Sequence, residues 1–148
     1  MARPAEVPLR PDMTFAEAAA LTVSVRAEEV WHHAENVLDV TDIERVHAMR
    51  VATRRLRAVL EIFAPAFPAG PRKAVLQEVK ALADALGERR DPDVQLEALD
   101  GIEGVGAFTQ RLRDEQAKGN ERLAGALRHV EEIDLRGQLR DLAAEATA

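Results

Sequence analysis

The sequence predicts an all-α fold, and three observations carry that prediction. Apolar residues recur at helical spacing, and no segment sustains the period-two alternation of a half-buried strand. Capping residues stand ahead of the apolar stretches at Thr14, Thr41, Asp91 and Asp134. The seven prolines fall in the N-terminal arm, in one loop and at one helix start, outside every periodic segment. The expected architecture is a single domain of four long helices packed as a bundle, with shorter helices added.

Pro4, Pro8 and Pro11 mark residues 1–13 as a flexible, extended arm, and 14–148 as the helical domain. The first helix runs from about Phe15 to Leu38. Thr14 with Glu17 forms a capping-box signature, and Leu21, Val25, Trp31 and Leu38 supply an apolar stripe. The second starts from another box, Thr41 with Glu44, and reaches about Phe63 before the loop of Pro65, Pro68 and Pro71. The third covers about Pro71 to Leu86, with Gly87 placed as a left-handed C-terminal cap. A short fourth starts at Asp91-Pro92, an N-cap followed by proline at the first helical position, and ends near Gly101. A glycine-rich turn leads to a fifth, about Ala107 to Glu132. Asp134 caps a sixth, Leu135 to Ala146. Gly119, Gly125 and Gly137 fall inside the last two and weaken them by roughly 1 kcal/mol each relative to Ala.

Composition narrows the function classes. The chain is 47% hydrophobic and 31% charged, which suits a globular protein rather than a disordered one. With 3% aromatics, aliphatic side chains must fill the core. The absence of Cys removes disulfides, thiolate metal sites and Cys nucleophiles, and fits a reducing cytoplasm. The longest uncharged apolar stretch, Ala18 to Val25, is too short to span a bilayer, and no secretory signal is visible. A net charge of −6 argues against a general nucleic-acid binder. The charge is nevertheless segregated. From Ile43 to Leu60, five Arg face one acid, so that stretch is +4 and the remainder −10.

That stretch is the informative one. At about 100° per residue, His47, Arg50, Arg54 and Arg57 share an arc of roughly 80°, and Arg55 projects from the other flank. Met49, Leu56, Leu60 and Phe63 form a separate core face. From Arg50 to Arg57 the row covers about 10 Å, too long for one phosphate and suited to an extended polyanion. Each guanidinium pairs bidentately with phosphate oxygens and stays charged at any relevant pH. Stacked cations repel one another, and no acid is expected at the i+4 positions to relieve them. His47 extends the row as a phosphate donor that gains charge on protonation. A second basic cluster comes from Lys73 and Lys80, seven apart, and the exit Leu86-Gly87-Glu88-Arg89-Arg90-Asp91. If the second and third helices are antiparallel neighbours, Lys80 faces the Arg row. The alternatives are an ordinary solvated helix face and a Lys80–Asp84 surface pair.

The run from Val46 through His47, Arg50, Arg54 and Arg55 to Arg57, followed by Lys80 to Val94 with Arg90, Asp91 and Asp93, resembles the CHAD family, the conserved histidine α-helical domain. The resemblance covers about Phe15 to Leu99. It implies a helical module that binds inorganic polyphosphate through basic residues lining a cavity or groove. Position by position it implies His47, Arg50, Arg54, Arg57, Lys80 and Arg90 as binding residues, with Arg55 matching but pointing elsewhere. Asp91 and Asp93 look structural. Family members usually pair two similar helical bundles, and nothing after Leu99 resembles a second basic helix. The chain thus looks like the N-terminal half of such a domain, and a homodimer is expected to replace the pseudo-symmetry with a true twofold.

Other classes are weaker. The four histidines have no i,i+4 pair, and the charge around His47 disfavours a metal cation, so neither metal nor cofactor is expected. No phosphate loop, nucleophile elbow or Glu-x-x-His di-iron pattern points to an enzyme. Glu28, Glu29 and Glu35 with His32 and His33 come closest, and a solvated helix face accounts for them. A protein-interaction scaffold and a metal-binding helical domain using His residues are the remaining alternatives, and nucleic acid is not an expected partner.

Overall fold

A computed structural model of the chain describes residues 3–147. Five α-helices follow in order: α1 (Phe15–Ala34), α2 (Glu44–Ile62), α3 (Ala69–Ala98), α4 (Gly106–Glu132) and α5 (Leu135–Ala144). One turn of 3-10 helix, Ala64–Ala66, links α2 to α3. Among the described residues no strand occurs, and none of the helices is long and apolar enough to cross a membrane.

Sequential helices pack on one another, α1 on α2, α2 on α3 and α3 on α4, as short connections dictate for antiparallel neighbours. The short α5 folds back on α1 and closes the core. Its Leu135, Leu139 and Leu142 are buried, whereas the longer α4 buries Leu112, Leu123 and Val130 along one edge. The core is aliphatic, with Leu56, Leu60, Leu82 and Leu86 at its centre and Phe67 the one buried aromatic among the described residues. Each such side chain contributes about 1.5–3 kcal/mol.

Several local expectations change. Thr14 caps α1 as the sequence indicates, its hydroxyl oxygen accepting from the Glu17 amide at 3.1 Å. The core stripe of α1, however, is Ala19, Val23, Ala27 and Val30; Leu21 and Val25 are half-buried, Trp31 packs at the core's edge and Leu38 is exposed. The helix stops at Ala34, short of Leu38, because Asn36 takes a left-handed φ of 55° and Val37 turns back into the core.

The second capping box does not form. The Thr41 amide and hydroxyl both donate to Asp39, at 2.9 and 2.6 Å, so α2 begins behind Ile43 with no side-chain cap. Those two bonds also hold the exposed Asp39 carboxyl below its usual range.

The largest correction is α3. Gly87 does not cap it and Asp91-Pro92 does not start a new helix; one helix runs through both. The buried positions Leu82, Leu86, Arg89 and Asp93 continue a single face across the expected break, so packing overrides the local signals. Pro92 cannot donate to the Glu88 carbonyl four residues earlier. That carbonyl lies against Gly119 of α4, where a Cβ would come within 3.0 Å of its oxygen. Gly119 is therefore a close-approach glycine and more than a weak point in α4.

At the far end, Asp134 caps α5 from a left-handed φ of 51°, accepting from the Gly137 amide at 3.2 Å. α5 ends at Ala144, two residues before the expected Ala146. Ahead of α1, the arm is tied down at Ala5, whose amide donates to Glu29 and whose carbonyl accepts from Arg26.

Candidate functional site

The apolar face of α2 fixes where its cations point. Val46, Met49, Ala52, Thr53, Leu56 and Leu60 are buried, so the His47–Arg50–Arg54–Arg57 arc emerges along one flank of the helix. His47 and Arg50 are half-buried, and Arg54 and Arg57 are exposed. Arg55 leaves on the opposite flank, toward α1, where its Nη1 lies 3.5 Å from Glu29. Glu29 also takes Arg26 at 2.8 Å, so Arg55 belongs to a buried α1–α2 network and not to the row.

Arg57 departs from expectation as well. Glu61, one turn on, sits 3.5 Å from its Nε, an i,i+4 acid where none was expected. Both groups are exposed, so this pair is weak and opens at little cost.

On α3 the two flanks differ. One faces α4: Glu88 accepts from Arg122 at 2.6 Å, Glu78 meets His129 at 2.8 Å, and Arg89 donates to Asn120 at 3.1 Å. At about 100° per residue, Arg72 and Arg90 share one angle on α3 and Lys80 lies about 80° from it. The Lys80–Asp84 pair does not form. Among the described residues, Arg50, Arg54, Lys80, Arg90 and Arg72 make no ion pair within 4.0 Å.

Burial sharpens the contrast. His47 Nδ1, Arg72 Nε and Arg90 Nη1 are shut off from solvent yet have no hydrogen-bond partner in the protein. Buried polar atoms are nearly always satisfied, so these three stand out on α2 and α3, although Arg45, Arg89 and Asp93 carry such atoms too. Helix spacing thus sets His47, Arg50, Arg54 and Arg57 on one flank of α2 and Lys80 and Arg90 on α3, the helix packed beside it, and leaves Arg55 outside the row. It adds Arg72, which lies about five turns before Arg90 at the same angle and extends the α3 flank to roughly 27 Å.

Beneath Arg90 sits a second feature that sequence reasoning missed. Arg89 is fully buried and paired with the equally buried Asp93. Gln116 donates to Asp93 at 2.6 Å, and Asn120 joins Arg89 to the Leu38 carbonyl, accepting at 3.1 Å and donating at 3.1 Å. Asp93, expected at a helix start, instead lies inside α3 as the buried partner of Arg89. Asp91, placed at a helix start by the sequence, is exposed in mid-helix.

The acidic cluster of α1 is not a solvated face either. Glu29 is buried, and Glu28 is held by Arg136 and Arg140 of α5, with Arg136 Nε at 3.2 Å and Arg140 at 3.3 Å. The hydrogen bond from Arg136 holds the Glu28 carboxyl below its usual range, against the opposing effect of burial. Among the described residues, no group of three or more His, Asp or Glu is arranged to hold a metal ion.

The fold is an all-α bundle in which, among the described residues, cations of α2 and α3 stand without acidic partners. The chain belongs to the CHAD family: the CHAD domain model matches residues 23–148, from the middle of α1 to the end. The match extends past Leu99, where the resemblance read from the sequence stops. No curated protein and no solved structure matches the chain.

Proposed function

We propose that this protein binds inorganic polyphosphate, without turning it over, along the groove between α2 and α3. One observation carries the reading: Arg50, Arg54, Lys80 and Arg90 lack acidic partners, while buried nitrogens of His47, Arg72 and Arg90 lack acceptors. Successive phosphates of an extended chain supply both needs, and each bound guanidinium or ammonium displaces counterions. The family resemblance, which implies the same ligand, supports the assignment. A cytoplasmic setting, in contact with polyphosphate granules, is part of the proposal.

The test is filter binding of long polyphosphate, short phosphates and nucleic acid across a salt series. Long polyphosphate is expected to bind best and to weaken steeply as salt rises. Arg50→Ala with Arg54→Ala is expected to lower its affinity by roughly a hundredfold, about tenfold for each charge-assisted hydrogen-bonding side chain removed, at unchanged helicity. Unchanged binding by that variant removes this groove as the site, and preference for nucleic acid overturns the ligand.

Pairing of two copies about a twofold belongs to the same proposal, since it doubles the cationic surface. Leu38, Val40, Val94, Ile102 and Phe108 leave an exposed apolar set about the α1–α2 and α3–α4 turns, which supports it. Sedimentation is expected to show a dimer, and monomer alone, with and without polyphosphate, counts against the pairing.

A further inference from the structure

A cavity of about 670 Å³ opens between the end of α3, the first turns of α4 and the residues that lead into α2. Its ionisable lining is Asp93, Glu97 and Asp100 on the α3 side and Arg113 on the α4 side. Asp93 is buried, and the other three are exposed, so it forms the floor and they form the rim. Three carboxylates against one guanidinium leave the lining at −2. Among the described residues, Glu97, Asp100 and Arg113 make no ion pair within 4.0 Å.

Two features beyond this acidity point to a positively charged ligand. The first is the floor. Asp93 Oδ1 is taken by Arg89 and by the Gln116 amide, whereas Oδ2, shut off from solvent, has no hydrogen-bond partner. Arg89 also carries unpartnered nitrogens, but it does not line the cavity. The buried pair therefore presents only its negative member there. The second feature is the end of α3, whose last turn holds no basic residue and lines the cavity with Leu96 and Glu97. The carbonyl end of a helix dipole favours a cation, and this turn supplies none of its own.

The remaining walls set the ligand's shape. Ile43, Leu96, Leu99 and Ile102 are apolar, and the volume suits a small organic molecule. Among the described residues, no group of three or more His, Asp or Glu is arranged for a metal ion, so the carboxylates fit separate charges on one molecule better than a single ion. Val40 and Ile102 belong also to the apolar set offered above for pairing, and the cavity behind them is complete within one copy.

We infer that this cavity binds a short linear diamine, with one ammonium donating to Asp93, the other to Glu97 and Asp100, and the methylenes against the apolar wall. Two ammonium charges match the −2 of the lining. The inference is independent of the polyphosphate reading, since no residue assigned to that ligand lines the cavity.

Isothermal titration of the full chain with diaminobutane, at an ionic strength held constant with sodium chloride, tests this. Saturable binding is expected, with butylamine weaker by roughly tenfold and butanediol, of the same length without charge, not binding. Glu97→Gln with Asp100→Asn, both at exposed positions, is expected to weaken diaminobutane by roughly tenfold at unchanged thermal unfolding. Arg113→Ala removes the one opposing charge and is expected to tighten binding by a few-fold, which keeps the test open should the double variant fold poorly. Heats no different from those of sodium chloride alone overturn the inference. So do equal binding of butanediol, undiminished binding by the double variant, and an Arg113→Ala chain no tighter than the wild type.

Discussion

The two flanks of α3 use the same residue types to opposite ends. Toward α4, cations meet acids: Arg122 with Glu88, His129 with Glu78, and Arg89 with Asp93 in the interior. The α1–α5 contact is similar, with Glu28 shared by Arg136 and Arg140. Arg72, Lys80 and Arg90 of α3 and Arg50 and Arg54 of α2 differ, because among the described residues no acid pairs with any of the five. A shortage of acids does not explain this, because the chain carries 26 against 20 bases. The imbalance is local. On the paired side cations hold the fold together, and on the open side they repel one another until something negative arrives.

That contrast predicts which substitutions harm folding and which harm binding. The largest effect is expected at Arg89→Met, which leaves Asp93 buried without its counter-charge and should cost about 3–5 kcal/mol in denaturant unfolding. Adding Asp93→Leu is expected to restore much of the loss. A variant of unchanged stability would mean that the buried pair holds nothing. Next come Arg50→Ala and Arg54→Ala, whose cost in binding should be matched by a stability change within about 0.5 kcal/mol, with any change toward higher stability as like charges separate. Equal losses of stability and affinity would blur the distinction between the flanks. The smallest effect is expected at Arg136→Ala with Arg140→Ala, at most about 1 kcal/mol for a partly exposed network, with polyphosphate binding unaltered. Weakened binding there would show that overall positive charge, and not the groove, sets affinity.

Much of this is legible in the sequence. The arc of His47, Arg50, Arg54 and Arg57 follows from spacing alone, because α2 has a clear apolar face that fixes the polar one. Arg55 is readable by the same angle. Glu61 escapes a reading confined to the cations, although its i+4 relation to Arg57 is visible in the chain. The course of α3 misleads because Gly87 and Asp91-Pro92 carry strong local stop and start signals. What overrides them is contact with α4, which no local window contains. Arg89 and Asp93 are hidden for a related reason: a buried ion pair and an exposed one have the same letters. The available signal is position, since both fall on the stripe of Leu82 and Leu86. Arg72 stands outside the motif and so draws no notice, though it repeats the angle of Arg90.

Arg89 and Arg90 are neighbours on one helical turn, and this adjacency sets the mechanics of the cleft. The first is clamped between α3 and α4 by Asp93 and Asn120, and the second emerges beside it. A polyphosphate chain bound at Arg90, as proposed, would therefore pull on a residue whose neighbour is buried and clamped. Little freedom remains there to be surrendered on capture, and tension along a long chain would pass straight into the helix axis instead of being dissipated in a loop.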